Sequence, residues 1–471
     1  MYIFLIKLEQ RLFGVYQLIL SVYIFFVTMA NSGINLATTR IVSEQEAYGM
    51  ENGIRIAMKK CIAYSIFTGS LACICLFFFA PFASSHFLHG KISELSLQIL
   101  ACSLPFVSFA ACINGYFSGI SRVKKTVYYQ ITGEFFKISF VVILLNFIIS
   151  PCNIEQACIA LVLGSTISEI LSFTFLLFLF LKDRKSLNRS VLKEPNYTKQ
   201  ILKIALPISF TSYIRSGLSS LKQVLIPLQL EKSGLACEVA LSQYGIINGM
   251  VFPLIMFPCT FVYSFSSLLI PEFSFMNARK ETVKMNFALN RILKFCFLFS
   301  FLVMGFLWCF AKELNTFIYP TNEVSYFIRI LCPLVILMYI DNVVDSILKG
   351  LNKQVAVMGI NIIDLISTIS LIYFILPYKG VNGYIFALYV SEILNGVLSL
   401  LLLIKETKFK IDFINIFFKP LFCVIFLNIF FPSIVKINTI VELIFYAILF
   451  IIFYFIILFL LKALSRNEIK F

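Results

Sequence analysis

Among the ionisable side chains inside otherwise apolar stretches of this 471-residue sequence, nine have a chemistry and placement that suit binding or pairing. The basic ones are Lys137, Arg215 and Lys222; the acidic ones are Glu134, Glu169, Asp341, Asp345, Asp364 and Glu392. In lipid each costs about 2.5–3.5 kcal/mol at a helix centre, so each should face a cavity, a partner or a ligand. Arg215 and Lys222 are seven residues apart, which puts them on one helix face with Ser219 between them. Two cations on one face call for an anion opposite. Asp341, Asp364 or Glu392 would serve as internal salt-bridge partners. A ligand phosphate would serve equally: Arg grips phosphate with two parallel bonds and Lys adds a compact charge, which suits a pyrophosphate.

The acids suggest a second chemistry. Asp341 and Asp345 are four apart on one face, and like charges that close favour a bound proton or cation, H+ or Na+. Glu169, Asp364 and Glu392 each have a polar residue three away (Thr166, Asn361 and Asn395), suited to cavity lining or to bonding between helices. Glu134 and Lys137, three apart, are expected to pair locally. Arg40 sits at the cytoplasmic end of the first apolar run.

The elements that carry these residues are membrane helices. Apolar residues make up 60% of the chain and charged ones 13%, against roughly 25% charged in a soluble domain. Thirteen runs are long enough to span, at about 13–38, 61–83, 95–120, 126–150, 156–181, 204–230, 239–270, 292–311, 325–348, 354–377, 381–404, 414–433 and 438–461. Lys and Arg in alternate connections total 28 against 5, which places the basic set and the C-terminus in the cytoplasm. The same alternation puts the start of the chain outside, where Lys7 and Arg11 are on the unexpected side; one further span before residue 1 would restore them. The net charge of +15 is explained by this bias, so no nucleic-acid partner is expected.

Tyr16 and Tyr244, Glu44 and Glu272, and Pro105 and Pro333 are each 228 apart, and Gly119 and Gly350 are 231 apart. This suggests duplication with both copies in one orientation, as in parallel-repeat transporters. The span 204–230 then lacks a partner, which again points to a 14-span design without its first helix. The implied organisation is an N-terminal lobe at 1–182, a basic cytoplasmic linker at 183–203, a C-terminal lobe at 204–405 and an extra helix pair at 414–463. Catalytic chemistry gets no support: Walker, HExxH and GxSxG motifs are absent from the sequence. The 13 Cys lie mostly in apolar runs and read as small hydrophobes, and His86 and His89 show no metal spacing, so neither metal nor cofactor is expected. The acceptor patterns at Asn188 and Asn196 fall in the cytoplasmic linker and should stay unglycosylated.

Four stretches carry a family resemblance. Residues 244–273, YGIINGMVFPLIMFPCTFVYSFSSLLIPEF, resemble the eighth-helix signature of the stage V sporulation protein B group. That group belongs to the multidrug/oligosaccharidyl-lipid/polysaccharide exporter superfamily. Residues 204–230 resemble its seventh helix, including Arg215 and Pro227; 33–49 the end of its second helix, with Arg40, Glu44 and Glu46; and 115–134 its fourth-to-fifth connection. The resemblance implies an all-α polytopic fold of two six-helix lobes around a central cavity, plus two extra C-terminal helices. It implies a flippase in the cell membrane, similar to lipid II flippases, that moves a lipid-linked oligosaccharide of peptidoglycan or polysaccharide synthesis. Arg40, Arg215, Lys222 and Ser219 become the candidates for its head group. Asp341, Asp345, Asp364 and Glu392 keep a rival open, a cation-coupled drug or metabolite exporter of the same superfamily. A degenerate, non-transporting membrane protein is the third reading.

Overall fold

The computed structural model describes residues 10–86, 93–148, 154–184, 197–319, 323–408, 417–434, 437 and 439–461. His89, the patterns at Asn188 and Asn196 and most of the linker 183–203 lie outside them. The described residues form helices and turns without a strand. This suits an apolar chain: in lipid the backbone must satisfy its own hydrogen bonds, and a helix does so within one segment.

Contacts divide the chain into two units, Met1–Glu231 with Ala236–Ser242, and Lys232–Leu235 with Gln243–Phe471. The first contains α1 (Gln10–Asn31), α2 (Ile34–Ala47), α3 (Glu51–His86), α4 (Glu94–Ala101), α5 (Leu104–Gly119), α6 (Val123–Ile143, prolonged by a π-helical turn Leu144–Ile148), α7 (Ile154–Arg184) and α8 (Tyr197–Lys232). The C-terminal lobe is expected to begin at 204; nearly all of α8 here counts with the first unit. The second unit contains most of α9 (Cys237–Tyr244), a π stretch Gly245–Val251, α10 (Phe252–Met256), α11 (Cys259–Ala278), α12 (Thr282–Cys309), α13 (Ala311–Ile318), α14 (Glu323–Leu331), α15 (Leu334–Gly350), α16 (Gln354–Thr407), α17 (Lys419–Ile434) and α18 (Ile440–Leu460).

Breaks inside the spans are built with local chemistry. Between α1 and α2 the chain turns at Ser32 and Gly33, with φ of 38° and 65°. The hydroxyls of Thr68 and Ser108 both reach the Ala30 carbonyl at 2.8 Å, so a carbonyl next to the break is not left bare. Helix α16 breaks at Gly380 (φ 54°, ψ −134°), close to the connection expected at 378–381.

The duplication is visible in backbone geometry, where several turns, helix starts and close contacts recur at 231 residues. Left-handed residues recur 231 apart, as Gly49 and Lys280 and as Ser121 and Asn352. Helix starts recur at the same interval, Glu51 with Thr282 and Val123 with Gln354. A Cβ on Gly119 would lie 3.0 Å from the Thr39 carbonyl and 2.8 Å from Val42 Cβ; one on Gly350 would lie 2.8 Å from the Ile270 carbonyl and 2.9 Å from Phe273 Cβ. Those partners are again 231 apart, so Glu44 corresponds to Phe275 and not to Glu272. The three-residue gain falls between Tyr244 and Ile270, where the second copy carries the π stretch and a break at Phe257–Pro258.

Ten described helices are long and apolar enough to cross a membrane, or up to eleven with the pair Glu323–Leu331 and Leu334–Gly350, bent by 50°. Thirteen were expected. The run 354–407 counts once despite its break, the run 239–270 divides into two helices, the Arg215–Lys222 helix carries too much polarity, and α17 has only 16 residues.

Candidate functional site

Helix α8 presents two different faces. Tyr213, Ser216, Gly217 and Ser220 lie on α1: Tyr213 pairs with the Ser32 hydroxyl, Ser216 Oγ is 3.1 Å from Thr28 Oγ1, and Ser220 donates to the Ser21 carbonyl at 2.6 Å. A Cβ on Gly217 would just touch the Phe25 ring, at 3.4 Å. Small and hydroxylated residues let two membrane helices approach and bond. At 100° per residue, Arg215, Ser219 and Lys222 sit roughly 140° around the helix from that face. Arg215 is exposed, and Ser219 and Lys222 are half-buried. Neither Arg215 nor Lys222 forms an ion pair among the described residues. Arg40, the third expected cation, differs: its Nε lies 3.1 Å from Glu44 Oε1, one turn along the exposed side of α2.

The acids converge in the second unit, where α15 meets both halves of α16. Asn395 Nδ2 donates to Asp341 Oδ2 at 2.9 Å. Asn361 Nδ2 and Ser399 Oγ each lie 3.4 Å from a carboxylate oxygen of Asp345, and Lys349 Nζ lies 3.9 Å from it. Ser391 Oγ donates to Asp364 Oδ1 at 2.6 Å. The buried oxygens Asp341 Oδ1 and Asn395 Oδ1 accept no hydrogen bond among the described residues. Such bare acceptors, one of them on a carboxylate, suit a proton or a hard alkali cation. No three His, Cys, Asp or Glu side chains converge as metal ligands among the described residues. Glu392 is half-buried on the same half of α16.

Two local expectations change. Glu134 and Lys137 form no ion pair among the described residues; Glu134 is exposed and Lys137 half-buried. Cys102 is exposed, unlike most of the other cysteines. Sequence reasoning also missed a polar clasp. Buried Asp183, near the end of α7, receives Tyr116 Oη at 3.1 Å, Arg122 Nη1 at 2.5 Å and Lys125 Nζ at 2.6 Å. In the second unit Lys353, 231 residues after Arg122, lies 2.8 Å from Glu406, near the end of α16. The signal was an acid near the end of a long helix paired with a basic connection.

Residues 1–277 match the family described as Polysaccharide biosynthesis protein, and residues 233–374 match the family described as MatE. Stage V sporulation protein B of Bacillus subtilis (strain 168) is 24% identical over 81% of this chain and 75% of its own length. Sporulation protein YkvU of the same organism is 20% identical over 69% of this chain and 72% of its own. Among solved structures, a multidrug resistance MATE family transporter of the MOP superfamily, in an inward-facing conformation, superposes with a TM-score of 0.69 at 13% identity. That match covers 86% of this chain and 93% of the other, a likeness of fold.

Proposed function

Since this chain belongs to the polysaccharide biosynthesis protein family and is a multi-pass membrane transporter of the multidrug/oligosaccharidyl-lipid/polysaccharide exporter superfamily, we propose that it is a flippase. Its cargo in this reading is a polyprenyl-pyrophosphate-linked, lipid II-like precursor, carried from inner to outer leaflet by alternating access. The observation that carries the reading is the α8 face: Arg215 and Lys222 stand about 10 Å apart along one helix side, with Ser219 between them and no ion pair to either among the described residues. A diphosphate between them would satisfy both. A charge-assisted bond contributes roughly 1.5–3 kcal/mol, so losing either cation should weaken head-group binding about 10- to 100-fold. Arg40, tied to Glu44, would have to exchange that partner for the ligand and is the weaker candidate.

The acidic cluster favours a second reading, a cation-coupled drug or metabolite exporter, in which Asp341, Asp345, Asp364 and Glu392 hold H+ or Na+. The same cluster would supply the driving ion for a flippase. The protein is placed in the cell membrane, in contact with membrane lipids, with its C-terminus cytoplasmic by the loop-charge argument.

The test is mass spectrometry of lipids that co-purify with the wild-type protein, Arg215→Ala and Lys222→Ala. A polyprenyl-pyrophosphate saccharide retained by the wild type and lost from both variants is the expected result. Phospholipid alone in all three samples, together with export of cationic dyes, would replace this reading with the exporter.

A further inference from the structure

Arg11 is a cation on the side where loop charge places few, and nothing in the head-group or ion sites uses it. The structure gives it a partner. Arg11 Nη1 lies 2.7 Å from Glu238 Oε1, and Ser242 Oγ donates to Gln10 Oε1 at 2.7 Å. Two residues at the start of α1 thus hold two residues of α9. Gln10 and Glu238 are 228 apart, the interval of Tyr16 and Tyr244, so the joined ends are counterparts in the repeat.

Three features make this contact releasable. The Arg11 side chain is 27% exposed and that of Glu238 63%, and an ion pair so open to water is weak. Arg11 Nε is buried and has no hydrogen-bond partner among the described residues, so those residues satisfy the guanidinium only in part. The chain changes character directly afterwards: the fastened segment Ala236–Ser242 ends the first unit, and the π stretch Gly245–Val251 begins three residues later. A π stretch is a place where a helix can change register. This one is held from its far side, by Tyr319 Oη on the Met250 carbonyl at 3.1 Å and by the Asn248–Tyr384 pair at 2.9 Å. The segment before it depends on Gln10 and Arg11 for its named side-chain bonds to α1.

We propose that Gln10, Arg11, Glu238 and Ser242 form a releasable clasp that docks Ala236–Ser242 on helix α1 in one state of the transport cycle and lets it go in another. The proposal rests on the protein being a transporter and not on the lipid it carries.

Ala240 is fully buried in the docked segment and reports on its release. The experiment measures the rate at which N-ethylmaleimide labels Ala240→Cys in the full-length protein in detergent, with the same proteins lacking that change as background for native cysteines. Arg11→Glu and Glu238→Arg should each speed labelling at least about threefold, since each replaces attraction by repulsion. The double swap, Arg11→Glu with Glu238→Arg, should return the rate to near its starting value. In the unperturbed protein, position 240 should label faster than Ala37→Cys, an equally buried position in α2. Single reversals without effect, or a double swap that stays fast, would overturn the clasp. Equal, slow labelling at 240 and 37 would make the contact a permanent brace and overturn its release. No lipid substrate enters the readout, so its failure is distinct from failure of the head-group assignment.

Discussion

Gly350→Ala puts a single methyl where α15 meets α11. The added Cβ would lie 2.8 Å from the Ile270 carbonyl oxygen and 2.9 Å from Phe273 Cβ. Carbon–carbon contact is comfortable from roughly 3.5 Å, so the methyl is short by about 0.6 Å. Both obstructing atoms belong to, or sit directly on, a helix backbone; neither can rotate away, and the helices must separate. Overpacking of this kind costs about 1–3 kcal/mol. Helix propensity returns at most about 1 kcal/mol, and less at the last residue of a helix. The net loss of about 1–2 kcal/mol corresponds to a melting temperature lower by roughly 2–8 °C for a unit of this size. Gly359 is the matched control: it lies inside α16 with nothing within 4 Å of an added Cβ. Gly359→Ala should melt at or above wild type, gaining up to about 1 kcal/mol. A thiol-reactive dye that fluoresces as buried cysteines become exposed reads both in detergent. If Gly350→Ala melted with or above Gly359→Ala, the close approach of α15 and α11 would be wrong, and with it the 231-residue register.

Two further outcomes follow from local geometry. Lys280 holds a φ of 55°, where a side chain costs about 1–2 kcal/mol, so Lys280→Gly should raise the melting temperature by a few degrees and Gly49→Ala, at the corresponding turn, should lower it. Ser391→Ala removes the 2.6 Å donor to Asp364 and should raise the half-saturating cation concentration for transport several-fold, with Asp364→Asn abolishing ion dependence; transport insensitive to both changes would remove Asp364 from coupling.

The helical periodicity carried much of this from sequence. A seven-residue spacing was enough to put Arg215 and Lys222 together, because a helix repeats nearly every seven residues whatever surrounds it. The face they leave free depended on Tyr213, Ser216 and Ser220 finding α1, and those partners are 181 to 199 residues away. Asn395 read as a neighbour of Glu392 and instead serves Asp341, 54 residues back. Asn361 read as a neighbour of Asp364 and points to Asp345. In each case the local option was real, and packing of α15 against α16 chose the distant one. Asp183 was not legible because the positive-inside rule already accounts for Arg122 and Lys125 without an acid partner. The repeat was legible from identities, but its register was not. Identical residues at 228 are a matter of chain chemistry, whereas matching turns and helix starts at 231 follow from geometry, which tolerates Gly in one copy and Lys in the other.

The 231-residue correspondence also separates scaffold from chemistry. Counterparts of Asp341, Asp345 and Asp364 in the first copy are Ala110, Asn114 and Gly133, so the turns were kept while these three acids occupy the second copy only. Two identical subunits could never divide labour in this way, because any acid given to one would appear in the other. Joining the copies in one polypeptide removes that constraint. A buried acid can then be placed in one copy alone, and a substitution in either can be selected without being paid for twice.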